Sequence, residues 1–173
     1  MALVLRRTAL FVFIVVVWAL IAAAVAHAST RDIVTMNGFA PGTIVVKTAE
    51  RKLYFVLDGT RALRFPVGVG KEGQTWTGTA RVSGKYVRPA WAPPDDIRRE
   101  HPALPEVIQG GARDNPMGAA ALTLDGGEYA IHGTNRPESI GRFVSHGCIR
   151  MHNEDIRALY RLVTVGTPVV VLR

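Results

Sequence analysis

Cys148 is the single cysteine of this 173-residue chain and the side chain best suited to nucleophilic chemistry. It lies in the segment Val144–Met151, between His146 and Arg150. Exported proteins usually pair their cysteines, so an unpaired one is a reactive thiol, an inert core residue or the partner of another chain. Gly147 frees the backbone to turn sharply, and the neighbouring cations are expected to lower the thiol pKa. The segment therefore favours a nucleophile.

A thiol nucleophile needs a base, and two histidines compete for that role. His132 ends an apolar run typical of a strand and enters a loop, a position from which side chains reach active sites. A lone histidine at the end of a strand is, however, commonly structural. His146 would face the same way as Cys148 only if the backbone between them is extended, and Gly147 leaves that geometry open. The residues alone do not decide between the two.

A metal site and a carboxylate site are further interpretations of this region. The zinc-ligand types close to the thiol are His132, His146, Cys148 and His152. They lack the tightly paired spacing of known zinc motifs. Arg150 is able to clamp a carboxylate through its forked guanidinium, although a solvated surface arginine is the commoner role. Trp76, Trp91 and Tyr86 are equally compatible with a groove or with core packing.

The surrounding sequence predicts a mainly β domain. Apolar runs typical of strands cover residues 43–48, 52–57, 61–67, 78–88, 122–124, 128–132 and 169–172. Their short spacing, with glycine and proline between them, predicts an antiparallel sheet that closes on itself as a sandwich or small barrel. A short helix is expected after Pro93-Pro94 and a second over residues 154–163, capped by Asn153.

The N-terminal segment, residues 1–28, has the pattern of an export signal. Two arginines precede an uncharged run from Thr8 to Ala26, and Ala26-His27-Ala28 fits a cleavage site. The run is also long enough to stay as a membrane anchor, so both fates remain open. Residues 29–42 are predicted to be a linker and residues 43–173 one compact domain, large enough to bury a core.

The charge of the chain limits the class of partner. Without residues 1–28, which carry two arginines and no acids, the formal charge falls from +7 to +5. A positive surface favours lipid headgroups, wall polymers or acidic peptides outside the cytoplasmic membrane. The export signal and the scattered basic residues, with no aromatic-basic cluster, argue against nucleic acid.

Two segments together resemble the catalytic domain of the L,D-transpeptidases (YkuD-type), bacterial enzymes that remodel peptidoglycan. These segments are Ile131–Asn135 and Ser145–Met151. The resemblance also includes Thr77-Gly78-Thr79, Asn115–Gly118, Asn153-x-Asp155 and Gly166–Val169, and it extends over residues 43–172. It implies the fold of that family, a mainly β, L,D-transpeptidase-like sandwich or barrel with a few short helices.

The resemblance also implies a role for each residue of the site. Cys148 would be the nucleophile, His132 its base, and the Gly133 carbonyl the group that orients the imidazole. The backbone N–H of Cys148, helped by that of Gly147 or His146, would form the oxyanion hole. Ser145 and His146 would shape the pocket. The substrate-binding residues would be Arg150, Thr134 and Asn135.

The reaction of the family explains the unpaired thiol. The thiolate attacks the carbonyl of the diamino acid at position three of a tetrapeptide stem, expels D-alanine and holds the acyl group as a thioester. An amine of a second stem then gives a 3→3 cross-link, a lipoprotein lysine gives a protein anchor, and water gives carboxypeptidase activity. The resemblance implies neither a metal nor an organic cofactor.

Two other functions stay open on the same scaffold. One is an L,D-carboxypeptidase or another thiol acyl hydrolase, and the other is a catalytically idle wall-binding module. The expected location is the periplasm or cell envelope, with membrane contact only through an uncleaved N-terminal segment. Residues 90–113 stand where a segment covers the cleft in the family, and whether they act as a lid is open.

Overall fold

A computed structural model describes residues 32–173, so the predicted signal or anchor, residues 1–28, lies outside the described part. The strands are β1 (Asp32–Thr35), β2 (Ile44–Lys47), β3 (Lys52–Val56), β4 (Arg61–Pro66), β5 (Val69–Gly70), β6 (Gly78–Val87), β7 (Ala120–Leu124), β8 (Ala130–His132), β9 (Phe143–Ser145), β10 (Ile149–Arg150) and β11 (Pro168–Leu172). The helices are α1 (Asp95–Glu100), α2 (Asn153–Leu162) and a 3₁₀ turn at Pro137–Ser139. Within residues 32–173, no helix has the length and apolar character needed to cross a bilayer.

Nine strands form one mixed sheet, in the order β1-β4-β3-β2-β11-β6-β7-β8-β10. The mainly β fold with short helices is therefore confirmed. The expectation of a wholly antiparallel sheet is wrong, because β2 pairs with β11 and β8 with β10 in parallel. Residues 133–148 supply the long crossover that the second parallel pair needs. The short strands β5 and β9 form a separate parallel pair.

Strand β6 joins the two halves of the sheet. Its first residues, Gly78–Arg81, pair with β11, whereas Val82–Val87 pair with β7. A register shift between Val82 and Gly84 marks the irregularity at which the strand passes from one partner to the other. Both halves contribute to one apolar core. Its fully buried side chains include Phe65, Leu122, Ile131, Met151 and Ile156.

The structure describes residues 32–42 of the segment expected to be a linker, and this part contains a strand of the nine-stranded sheet. Within it, β1 pairs with Arg61–Arg64 of β4, and the Arg64 guanidinium donates to the Asp32 carboxylate at 2.7 Å. Val34 and Phe39 pack against a small apolar cluster that includes Tyr54. Since this polar stretch has no alternation of its own, the neighbouring strand is what orders it.

Asn153 does not cap helix α2 as predicted. The N-cap residue is His152, and no side chain makes a capping hydrogen bond there. Asn153 Oδ1 instead accepts the backbone N–H groups of Ala119 at 2.9 Å and Thr134 at 3.2 Å, and its Nδ2 donates to the Thr134 carbonyl at 2.9 Å. These bonds tie the start of α2 to the loop that follows His132.

Candidate active site

Strands β8 and β10 bring the three principal candidates to one cleft. The pair is parallel, with Arg150 opposite His132. Because side chains alternate along a strand, Cys148, two residues before Arg150, is expected on the same face. All three residues line one cleft of about 990 Å³. Residues that the sequence carries in two separate motifs therefore share one site.

The segment between β6 and β7 also lines the cleft. Residues 91–97 and Arg99 line it together with the thiol, and Glu100 is the last residue of α1. His146 Nε2 lies 3.1 Å from a Glu100 carboxylate oxygen and 3.3 Å from Lys71 Nζ. Because these two side chains engage Nε2, this nitrogen of His146 is not free to act as a base.

His132 is buried and has a defined orientation. Its Nδ1 lies 2.6 Å from the Gly133 carbonyl oxygen, which fits an Nδ1–H donor and leaves Nε2 as the proton acceptor. Burial, followed by the positive charge of Arg150, lowers the pKa of His132 from 6.5 to about 4. The carbonyls of Gly133 and Pro116 oppose this shift, because they stabilise the protonated ring. The imidazole is therefore neutral at pH 7.

The Cys148 thiol is protonated in the resting protein. Burial raises its pKa, and this outweighs the Ala130 N–H and Arg150, which favour the thiolate. The carboxylates of Asp96 and Glu128 raise the pKa further. Arg150 lowers the thiol pKa, as expected of a neighbouring cation, but the net shift is upward, because the sequence reveals the cation and not the loss of water around the sulfur.

Ser145 and Gly147 shape a tight turn in front of the thiol. The Ser145 hydroxyl donates to the Cys148 carbonyl at 2.6 Å and accepts the Gly147 N–H at 3.2 Å. Gly147 has φ +117°, and a Cβ at this position would collide with the Tyr129 ring. The Gly147 N–H is thus occupied, contrary to its expected part in the oxyanion hole. In the described part of the chain, no turn, loop or side-chain hydrogen bond uses the Cys148 N–H.

The loop between β5 and β6, whose role the sequence did not reveal, holds this turn through two hydrogen bonds. The Lys71 backbone N–H donates to the Ser145 carbonyl at 2.9 Å, and Trp76 Nε1 donates to the Gly147 carbonyl at 3.1 Å. The indole stacks on Tyr129, with ring centroids 5.1 Å apart and planes 5° from parallel. The only signal was a tryptophan in a glycine-rich stretch, which did not reveal its partner.

The predicted substrate-binding residues separate into two groups. Arg150 is half-buried in the cleft, and within residues 32–173 its Nε has no hydrogen-bond partner. Burial lowers the pKa of this guanidinium. Thr134 turns back on itself, its hydroxyl accepting the Arg136 N–H at 3.0 Å, and the exposed Asn135 reaches the Arg113 carbonyl at 3.5 Å. The structure does not bring Thr134 or Asn135 to the lining of the cleft.

The alternative zinc site is not assembled. Among residues 32–173, no three histidine, cysteine, aspartate or glutamate side chains converge in a group that could hold a metal ion. His152 precedes α2 as its N-cap, and His146 is engaged by Glu100 and Lys71. The candidate site is thus built from a thiol, an imidazole and a guanidinium.

Comparison with known proteins adds independent findings. The family model described as the L,D-transpeptidase catalytic domain matches residues 41–171. The probable L,D-transpeptidase YbiS of Escherichia coli is 43% identical over 135 residues, covering 73% of this chain and 43% of YbiS. The chain therefore spans less than half the length of that relative.

Two solved structures show the same fold. L,D-transpeptidase 3 of Mycobacterium tuberculosis aligns with a TM-score of 0.59 at 18% identity, covering 76% of this chain and 60% of that one. The catalytic domain of an Enterococcus faecium L,D-transpeptidase, acylated by ertapenem, aligns with a TM-score of 0.59 at 22% identity, covering 79% of this chain and all of that domain. At such identities the likeness concerns the fold alone.

Proposed function

The chain belongs to the L,D-transpeptidase catalytic domain family, and from this premise we propose that it is a cysteine-dependent acyltransferase acting on peptidoglycan stem peptides. One observation carries the proposal: a single cleft holds the free Cys148 thiol, a neutral His132 with an oriented ring, and Arg150, whose Nε has no hydrogen-bond partner within residues 32–173. These groups supply a nucleophile, a base and a receptor for a carboxylate.

In the proposed first step, His132 Nε2 takes the Cys148 proton as the sulfur attacks the carbonyl of the diamino acid at position three. Since the thiol and imidazole are both neutral at rest, this proton transfer accompanies attack rather than preceding it. The Gly133 carbonyl, 2.6 Å from Nδ1, stabilises the imidazolium that forms. Its role is that of the orienting third group in a triad.

The tetrahedral intermediate then collapses to a thioester. The Cys148 N–H is the proposed oxyanion donor, because the Gly147 N–H is engaged by Ser145. His132 returns its proton to the nitrogen of the leaving D-alanine as the C–N bond breaks. An acceptor amine afterwards attacks the thioester, loses a proton to His132 and restores the thiol.

Arg150 links substrate binding to the strength of the base. A substrate carboxylate paired with its guanidinium would satisfy a half-buried charge. The same pairing would offset the positive charge that lowers the pKa of His132, so the bound enzyme has the stronger base. Arg150→Ala is therefore expected to raise KM for a tetrapeptide stem. An unchanged KM would remove Arg150 from the site.

The proposed partners are peptidoglycan stem peptides as donors and a second stem or a lipoprotein lysine as acceptor. We place the enzyme in the periplasm or cell envelope, on the pattern of residues 1–28. Contact with the membrane is proposed only through that segment, if it is retained. The unit over residues 43–173 is proposed as the catalytic domain.

The decisive test is incubation with disaccharide-tetrapeptides, followed by mass spectrometry of the products. A dimer lacking one D-alanine, absent with Cys148→Ser, is the expected result. Tripeptide alone would identify a carboxypeptidase instead. No product and no labelling by ertapenem, the compound that acylates the E. faecium relative, would leave the idle wall-binding module as the better account.

A further inference from the structure

We propose that Trp76 is a positioning residue for acylation, and that its indole fixes and polarises the Gly147–Cys148 peptide, whose N–H meets the negative charge on the acyl oxygen. The inference rests on the proposed function, since it concerns the oxyanion donor of that reaction. It assigns a role to a residue that does not line the described cleft.

Trp76 and Tyr129 hold the Gly147–Cys148 peptide from two directions. The indole N–H donates to the Gly147 carbonyl at 3.1 Å. Tyr129 stacks on the indole, and its ring lies against Gly147, where a Cβ would collide with it. A hydrogen bond on the carbonyl and a ring against the Cα restrict rotation of the peptide plane. Any residue other than glycine at position 147 would displace the Tyr129 ring or the turn.

The hydrogen bond on the Gly147 carbonyl also affects the Cys148 N–H, because both groups belong to one planar peptide. None of the peptide bonds within residues 32–173 is cis, and in a trans peptide the C=O and N–H point in opposite directions. The indole on the Gly147 oxygen therefore holds the Cys148 N–H on the side away from Trp76. A hydrogen bond to the carbonyl also strengthens the bond that the N–H donates, by about 10–30% in condensed-phase estimates.

The neighbouring hydrogen bonds make this N–H the donor on which Trp76 acts. The Gly147 N–H is engaged by the Ser145 hydroxyl at 3.2 Å. Lys71, at the start of the same loop, holds the Ser145 carbonyl at 2.9 Å. The Cys148 N–H has no acceptor among the turn, loop and side-chain hydrogen bonds of residues 32–173. The Cys148 N–H is therefore available to donate to an oxygen of the ligand.

Two reactions of the same thiol separate positioning from simple packing. In acylation by ertapenem, the sulfur bonds to the β-lactam carbonyl, the C–N bond breaks, and the ring nitrogen takes the proton that left the thiol. Negative charge develops on the carbonyl oxygen during this reaction. In alkylation by iodoacetamide, the sulfur displaces iodide from carbon and no oxyanion forms. A residue that acts on the oxyanion donor changes the first rate and spares the second.

The variant Trp76→Phe keeps an aromatic ring against Tyr129 and removes the N–H. In the full chain, the rate of acylation by ertapenem is expected to fall about tenfold. This lies between the loss of one ordinary hydrogen bond, about fivefold, and the loss of an oxyanion donor, about 100- to 1,000-fold. The rate of alkylation should stay within about twofold of wild type, because that reaction needs no oxyanion donor. Tyr160→Phe, which alters a partly buried aromatic residue of α2, is the matched control and should change neither rate.

Each outcome has a distinct meaning. An unchanged acylation rate in Trp76→Phe, or an equal fall in its acylation and alkylation rates, would overturn the positioning role of Trp76. The proposed function would stand in that case, provided that ertapenem acylates the wild-type protein. A wild-type protein that iodoacetamide alkylates and ertapenem does not acylate would overturn the proposed function itself. If thermal unfolding shows that Trp76→Phe does not fold, Tyr129→Leu removes the stacking partner and is expected to lower the same ratio of rates.

Discussion

Replacing His132 with glutamine removes an ionisable group of the site whose pKa is lowered by folding. Folding lowers the pKa of His132 from 6.5 to about 4, chiefly by burial. Between those values the unfolded chain binds a proton that the folded chain excludes. The contribution to stability is therefore fully present above about pH 6.5 and is lost as the pH falls toward 4.

The size of the effect follows from the two pKa values. One pH unit corresponds to about 1.36 kcal/mol, so the interval from 6.5 to about 4 amounts to a loss of about 3 kcal/mol in the free energy of unfolding. A loss of that size is a large part of the stability of a small domain. His132→Gln does not undergo it, because glutamine does not titrate.

Urea unfolding of both proteins, followed by tryptophan fluorescence between pH 7.5 and pH 4, measures this difference. Wild type is expected to lose about 3 kcal/mol more than His132→Gln across the range. Other titrating groups occur in both proteins and cancel in the comparison. His101→Gln, at an exposed histidine, serves as the matched control and should follow wild type. Parallel curves for wild type and His132→Gln would refute a buried, neutral imidazole.

Three further predictions concern the turn, the tie to α2 and the thiol. Gly147→Ala should lower Tm and slow acylation at least tenfold, because the added Cβ would collide with Tyr129 and the positive φ is strained for alanine. Gly141→Ala is the control, since Gly141 also has a positive φ but has open space around it. Equal effects of the two substitutions would contradict a specific contact with Tyr129. Asn153→Ala removes the acceptor of two N–H groups and should cost about 3 kcal/mol in urea unfolding; a loss below about 1 kcal/mol would show that the tie is dispensable. Alkylation of Cys148 by iodoacetamide should keep accelerating above pH 8, because burial raises the thiol pKa, and a plateau below pH 8 would contradict that direction.

Strand positions were predictable from the sequence, and strand pairing only in part. Alternating apolar residues located β2, β3, β4 and β6 closely, because side-chain period is a local property. The parallel pairs β2–β11 and β8–β10 join residues far apart in the chain, and no local pattern encodes them. Strand β1 was not predicted for the same reason, since it forms by pairing with β4, which is distant in the sequence.

The candidate site shows a similar division. Cys148, His132 and Arg150 were candidates from their types and from the family resemblance, and the structure brings all three to one cleft. The direction of the thiol pKa was not predictable, because desolvation depends on the folded surroundings. The contacts of Trp76 and Asn153 were not predictable for another reason. Each acts through hydrogen bonds to backbone groups of distant segments, which residue types alone do not reveal.

Intact-protein mass spectrometry after rapid mixing with a disaccharide-tetrapeptide shows whether Cys148 is the nucleophile. We expect a covalent adduct on Cys148 with the mass of the donor minus D-alanine, formed together with free D-alanine. The adduct should be absent in Cys148→Ser and should form at least about a hundredfold more slowly in His132→Ala, as expected for loss of a general base. Conversion of the tetrapeptide that persists in Cys148→Ser, or that proceeds with no adduct on the wild-type sulfur, would contradict a nucleophilic Cys148.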